Sequence, residues 1–244
     1  MGNILGKSDL EKILIGTASN HLIDFEEKGL RTDFNKKSYV SLHQKVLGPY
    51  EQLKNSAAEN GFALRVLSGY RSFDHQVKIW NDKISGKRMI LDDSSKPITH
   101  EDFSAWEKIQ AILRWTALPG TSRHHWGTDF DVYDANALSP NYRVQLMPSE
   151  YIGDGIFSDF YAWLMESIGP SGTYKSYFFQ PYAIDNGGIA PEPWHLSYKP
   201  VADYYEKELN INMVKKQILI SNLSEKKIVL MHLEEILDRY VVRK

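Results

Sequence analysis

The chain has 244 residues, enough for one substantial domain with appendages or two small ones. Charged residues make up 25% and the formal net charge is -2, so no global field argues for nucleic acid or anionic lipid as a partner. Cysteine is absent, which excludes disulfides and thiolate ligation, and no apolar run is long enough to span a bilayer.

The opening stretch, MGNILGKSDL, lacks a charged region followed by an apolar one, so it does not read as a secretory signal. Either the protein stays inside the cell or the sequence starts after a removed signal. Ser8-Asp9-Leu10-Glu11 reads as a capping box opening a short helix. From Tyr39 to Asn60, Leu42, Val46, Tyr50, Leu53 and Ala57 fall at helical spacing, with Pro49 as a possible kink and Gly61 as terminator. Phe62 to Ser68 alternates as a strand, and Ser72 caps a helix from Phe73 through Trp80.

Residues 84–98 are charged and loop-like. Thr99-His100-Glu101-Asp102 resembles another capping box, and Phe103, Trp106, Ile109 and Leu113 mark one face of the next helix. Residues 84–117 are expected to form either a lid or wall beside a site or a packing decoration. Phe157, Tyr161, Leu164 and Ile168 give a further helix closed by Gly169-Pro170. Tyr177 to Gln180 and Glu192 to Tyr198 read as strands. After Pro200 the pattern is helical: Val201 to Leu209, Met213 to Asn222, then a Ser224-capped helix to Tyr240. Residues 1–200, with an inserted helix near 100–117, are read as one unit and 201–244 as a helical extension packed on it.

The stretch with most chemistry is Thr121 to Asp134, TSRHHWGTDFDVYD. Thr128 to Tyr133 alternates as a strand, which puts Asp129 and Asp131 on one face and Phe130 and Val132 on the other. A histidine leading into that strand and an aspartate on it can meet one divalent cation. A third ligand must come from elsewhere, and the segment around His195 offers one, with a carboxylate nearby. Lone histidines usually sit on surfaces or in satisfied cores, and His21, His43, His75, His100 and His232 are read that way. His124 and His125 compete, since an extended segment lets only one of two neighbours face the metal.

These segments resemble the VanY-type zinc D-alanyl-D-alanine carboxypeptidases and dipeptidases, within the group that also holds lysostaphin-type endopeptidases and the hedgehog signalling domain. The pattern Ser-x-His-x-x-Gly-x-Ala-x-Asp is met by Ser122, His124, Gly127 and Asp131. Glu-x-Trp-His is met by Glu192, Trp194 and His195. Ser-Gly-Tyr-Arg-Ser with a following glutamine is met by Ser68 to Ser72 and Gln76. Three motifs in order over about residues 60–200 are far more specific than any one alone. One departure is plain: Asp129 stands where the family has alanine.

The resemblance implies zinc held by His124, Asp131 and His195, with Glu192 as the base that takes the attacking water's proton. Outside the motif Glu192 would read as a surface glutamate before a proline. Arg71 would stabilise the oxyanion, against a structural salt bridge as the plain reading. Ser122, Gln76, Tyr70 and Trp194 are candidate substrate contacts. Asp129 has two open roles, support for a zinc-bound histidine or contact with a substrate ammonium. An anion pocket for a terminal carboxylate is expected from Ser122, Gln76 and the first amides of the helix after Ser72.

The expected fold is α+β, with a small antiparallel sheet carrying the site and helices around it. The expected activity is hydrolysis of D-alanyl-D-alanine-type bonds in peptidoglycan stem peptides, with an internal-bond endopeptidase as the near variant and a location in the cell envelope. The rival class is a non-enzymatic zinc-bearing module of hedgehog type, which has no need for Glu192 and Arg71 together.

Overall fold

A computed structural model of the chain describes residues 6–27, 38–99 and 103–241. The first helix, α1, spans Lys7–Leu14 and buries Leu10, Ile13 and Leu14. Its cap is Gly6, with no side-chain bond, so Ser8 lies inside the helix and the expected capping box does not form. Next come an antiparallel pair, β1 (Leu22–Glu27) and β2 (Ser38–His43), and the helix α2 (Leu47–Glu59).

The expected helix from Tyr39 is therefore a strand followed by a helix. Val40 and Leu42 are both buried, and their i, i+2 spacing serves a strand as well as the helical reading served Leu42 and Val46. Pairing with β1 decides between them. Pro49 lies in the first turn of α2, where its missing N–H costs nothing, and it makes no interior kink.

The remaining strands and helices follow in order. β3 (Leu64–Ser68) leads to α3 (Phe73–Ile84), whose Ser72 cap accepts from His75 N at 3.2 Å. A small hairpin, β4 (Ile90–Leu91) with β5 (Pro97–Ile98), precedes α4 (Ala105–Leu113). Ser104 and Glu107 make a capping box for α4, whereas most of the one expected at 99–102 lies outside the described residues. β6 is Asp129–Asp134, α5 Pro148–Tyr151, α6 Ser158–Ile168, β7 Phe178–Phe179 and β8 His195–Tyr198. The last helices are α7 (Lys199–Glu208), α8 (Ile211–Ile220), α9 (Lys226–Met231) and α10 (Leu233–Tyr240). The helix expected from Ser224 to Tyr240 is thus broken at His232. Glu225, not Ser224, occupies the cap position, while Ser224 receives a hydrogen bond from Trp80 Nε1 at 3.1 Å.

β3, β6, β8 and β7 form a four-stranded antiparallel sheet in that order. β6 is central and buried along its whole length. Phe130 enters the core edge-on between Tyr50 and Phe178, at ring distances of 5.8 and 5.9 Å. The other face carries Asp129 and Asp131, as the alternation requires. The main core joins the sheet to α1, α2, α6 and α7. A second apolar cluster joins Trp80 of α3 and Ile109, Ile112 and Leu113 of α4 to Val214, Ile218, Val229 and Ile236 of the last three helices. His232 stacks on Trp106 at 3.9 Å, tying the break after α9 to α4. The architecture is α+β, with a small antiparallel sheet among helices.

Candidate active site

His124 and His125 lie on a 3-10 turn, Arg123–Trp126, rather than on an extended segment. Successive residues there diverge by about 120°, so the two rings still part. Gly127 closes the turn at φ +66°, and a Cβ there would stand 2.4 Å from Leu22 Cδ2 and 2.9 Å from His43 N. His124 Nδ1 lies 2.8 Å from the Gly69 carbonyl. A carbonyl only accepts, so Nδ1 carries the proton and Nε2 keeps its lone pair.

His125 uses both nitrogens within the fold. Nδ1 donates to Arg71 O at 2.6 Å and Nε2 accepts from Gly120 N at 3.0 Å. Burial pushes its pKa down to about 3, so it is a neutral brace between two loops. Its ring lies on Gly16, where a Cβ would come within 2.4 Å of it. His125 therefore has no lone pair to offer a cation.

Asp131 sits directly across from His195 in the β6–β8 register. Its Oδ1 is 3.6 Å from His124 Nε2 and 3.6 Å from His195 Nδ1. These gaps are too long for hydrogen bonds, and Oδ1 is buried without a hydrogen-bond partner among the described residues. Two ligands about 2.1 Å from one tetrahedral zinc stand about 3.4 Å apart, close to both gaps. One donor atom from each of His124, Asp131 and His195 falls within 4.8 Å of the other two. A borderline cation taking nitrogen and oxygen ligands fits this set.

His195 is held from both sides. Nε2 is 3.1 Å from Asp129 Oδ1 and Nδ1 is 3.0 Å from Glu192 Oε2. Burial would lower its pKa, but the bonds to Asp129 and Glu192 outweigh it and raise it to about 9.

Asp129 is fully buried. Besides His195, its Oδ1 accepts from Arg123 Nε at 2.7 Å. Its Oδ2 accepts from Thr128 Oγ1 at 2.7 Å and Ser197 Oγ at 3.0 Å. Burial would raise its pKa, and the Arg123 charge, first among the opposing effects, pulls it well below the carboxylate range. Arg123 also donates to Ser197 Oγ at 2.8 Å and Glu206 Oε2 at 3.0 Å. Asp129 thus faces the back of His195 with its acceptors filled, which favours the first of its two open roles, support for a zinc-bound histidine, over contact with a substrate ammonium.

A cleft of about 310 Å³ opens over the three candidate ligands, and Arg71, Ser122, Glu192 and Trp194 line it. Residues 84–117 contribute Arg88, Leu91, Trp115, Thr116 and Ala117 to its wall, so that segment is more than a packing decoration. Arg71 donates to Gln76 Oε1 at 3.0 Å and Ser68 Oγ at 3.2 Å, and no carboxylate lies within 4 Å of it among the described residues. It is held in place by neutral acceptors, not by the structural salt bridge weighed against it.

Two further candidate substrate contacts are engaged within the fold. Gln76 is fully buried and spends its amide on Ala117 O at 2.7 Å while its oxygen holds Arg71. Tyr70 points away, its hydroxyl 3.3 Å from Gly16 O and 3.4 Å from Ala18 O. The first amides of α3 are also engaged, Phe73 N by Gly16 O at 2.8 Å and His75 N by Ser72 Oγ. Of the expected anion pocket only Ser122 remains at the cleft.

The sequence reading missed Arg123 and Tyr182. Tyr182 lines the cleft and packs edge-on against His195 at 4.9 Å. Arg123 had a usable signal: an extra acid at 129 inside a motif calls for an opposite charge, and Arg123 lies six residues away. Tyr182 had none, because a loop tyrosine reads the same in or out of a site.

A family model described as VanY, D-alanyl-D-alanine carboxypeptidase, matches residues 39–201. A D-alanyl-D-alanine carboxypeptidase of Enterococcus faecalis is 31% identical over 156 residues, covering 62% of this chain and 46% of that protein. Two uncharacterised proteins of Haemophilus influenzae are 36% and 30% identical over 107 and 125 residues. The matches cover 44% and 51% of this chain and 68% and 93% of those proteins. Among solved structures, the LD-carboxypeptidase LdcB superposes with a TM-score of 0.51 at 19% identity, over 85% of this chain and 87% of that one, which shows a shared fold. With the family model spanning well over half of its length, the chain belongs to the VanY family of D-alanyl-D-alanine carboxypeptidases.

Proposed function

We propose that the protein is a zinc-dependent D,D-carboxypeptidase that removes the terminal D-alanine from peptidoglycan stem peptides. The observation that carries this reading is the meeting of His124, Asp131 and His195 within 4.8 Å, under a cleft that Glu192 and Arg71 also line. A zinc ion on those three residues would supply Lewis acidity, polarising the scissile carbonyl and acidifying water.

The chain's own residues do the rest. Glu192, whose Oε2 already lies 3.0 Å from His195 Nδ1, is placed to take a proton from the attacking water. It then returns that proton to the leaving amine. Arg71, fixed by Ser68 and Gln76, faces the cleft as a rigid donor for negative charge developing on the carbonyl oxygen. Ser122 offers a hydroxyl beside His124, and Trp194 forms an apolar wall. A binding module of hedgehog type would not need the acid and the guanidinium together. A peptidoglycan substrate places the protein in the cell envelope, and no helix among the described residues is long and apolar enough to cross a membrane.

Elemental analysis tests the metal assignment. Wild-type protein should carry one zinc, and Asp131→Ala should carry none after the same dialysis. Stoichiometric zinc in Asp131→Ala would place the metal elsewhere.

A further inference from the structure

Counting charges in the cleft leaves a surplus. Its lining carboxylates are Asp131 and Glu192, and its lining cations are Arg71, Lys83, Arg88 and Arg123. Arg123 is neutralised from behind by Asp129 and Glu206. Asp131 belongs to the candidate metal site, Glu192 is the proposed base and Arg71 the proposed oxyanion donor. Lys83 and Arg88 remain, on the wall that leads from α3 into the 84–117 segment.

Lys83 is half-buried, its Nζ donates to Met89 O at 3.2 Å, and it has no carboxylate within 4 Å among the described residues. Arg88 has one long ion pair, at 3.8 Å to Asp82, a carboxylate it shares with Lys78 at 2.6 Å. Burial lowers the Lys83 pKa, and the neighbouring Arg88 charge lowers it further. His75, nearby, is lowered by burial and then by Arg71 and Arg88. A half-buried lysine beside an arginine is destabilised unless an anion joins them.

We propose that Lys83 and Arg88 form a carboxylate-binding subsite. It selects stem peptides that carry a free side-chain carboxylate near the scissile end over those that carry lysine there. This rests on the peptidase reading and adds its substrate class. The sign is opposite to the ammonium contact that Asp129 suggested in the sequence, because Asp129 faces inward and the surplus charge at the cleft is positive. The subsite serves a second carboxylate, distinct from the chain terminus.

The test uses the zinc-loaded full chain and three synthetic pentapeptides ending in D-Ala-D-Ala. They differ only in the third residue: 2-aminoadipate, norleucine or lysine. The expected kcat/KM order is aminoadipate, then norleucine, then lysine, with about tenfold or more between the first two for a charge-assisted bond. In the double variant Lys83→Met, Arg88→Met, the aminoadipate-to-norleucine ratio should collapse toward one. Equal rates on all three peptides in wild type would overturn the proposal, as would a ratio that survives in the double variant. The same series with C-terminal amides separates the two carboxylates: the side-chain preference should persist, and its loss would assign Lys83 and Arg88 to the terminus instead. If no peptide is cleaved, the peptidase reading fails by itself. Calorimetric binding of the three peptides then tests the subsite by the same order, and equal affinities would overturn it.

Discussion

Asp129 Oδ1 stands 3.1 Å from His195 Nε2, on the side of the ring away from Asp131. A carboxylate there keeps the proton on Nε2, so that Nδ1, which faces Asp131 and donates to Glu192 at 3.0 Å, is the nitrogen that would give up its proton to take a metal. The same oxygen accepts from Arg123 Nε at 2.7 Å. The extra acid relative to the family pattern therefore comes with its own buried counter-charge.

Asp129→Ala restores the residue usual in the family but strands Arg123. Zinc affinity should fall by about ten- to a hundredfold, the usual effect of losing a partner behind a ligand. Stability should fall by about 3–5 kcal/mol, the scale for breaking a buried pair. The double variant Arg123→Met, Asp129→Ala should recover much of that stability but not the zinc affinity. Chelator competition and denaturant melts of the three proteins would check this. Unchanged zinc affinity in Asp129→Ala would remove its role behind His195.

The adjacent histidines should separate cleanly. His124→Ala should abolish stoichiometric zinc. His125→Ala should keep zinc yet lower the melting temperature, since it unties Gly120 from the Arg71 carbonyl. Elemental analysis and thermal melts of both variants decide it. Loss of zinc in His125→Ala with retention in His124→Ala would reverse the assignment.

Glu192→Gln is nearly isosteric and should leave zinc bound while lowering turnover by about 10²- to 10⁴-fold. Arg71→Ala should cost about 10²- to 10³-fold if its guanidinium stabilises the oxyanion. Gln76→Ala should lower turnover through Arg71 with a smaller effect, and it should have no additional effect in an Arg71→Ala background. Single-turnover rates on the three variants provide the comparison, and additive losses would show that Gln76 acts independently.

A second buried pair sets a pH dependence away from the metal. His21 and His43 lie 5.6 Å apart, both buried, and burial above all lowers each pKa to about 4 from 6.5. A base depressed in the fold is neutral there and charged when unfolded between those two values. Its stabilising contribution is full above pH 6.5 and is lost as pH falls through that window to about 4. Melting temperature should therefore drop over that range, and His21→Leu should flatten the drop. Parallel profiles for wild type and variant would rule the pair out as its source.

Much of the site was legible because it is coded by residue type at short spacing. Alternation along 128–133 gave the shared face of Asp129 and Asp131, and motif order gave His195 and Glu192. Direction was not legible. Tyr70 and Gln76 flank Arg71 in sequence, yet one bonds Gly16 and Ala18 while the other holds Arg71 and Ala117. Those bonds depend on α1 and on the loop before the 3-10 turn, which the local pattern does not encode. The β1–β2 pair was missed for a related reason: Tyr39–His43 satisfies two periodicities, and only its distant partner chooses between them. The capping serines show the same limit, since Ser72 caps its helix while Ser8 and Ser224 do not.

The most direct test of the account is mass spectrometry of a stem pentapeptide ending in free D-Ala-D-Ala, incubated with the zinc-loaded protein with and without chelator. The account predicts loss of a single alanine, abolished by chelator and restored by zinc. It also predicts much poorer cleavage of the C-terminal amide, by about ten- to a hundredfold. Release of a dipeptide, cleavage of an internal cross-link at equal rates for acid and amide, or full activity in chelator would contradict it.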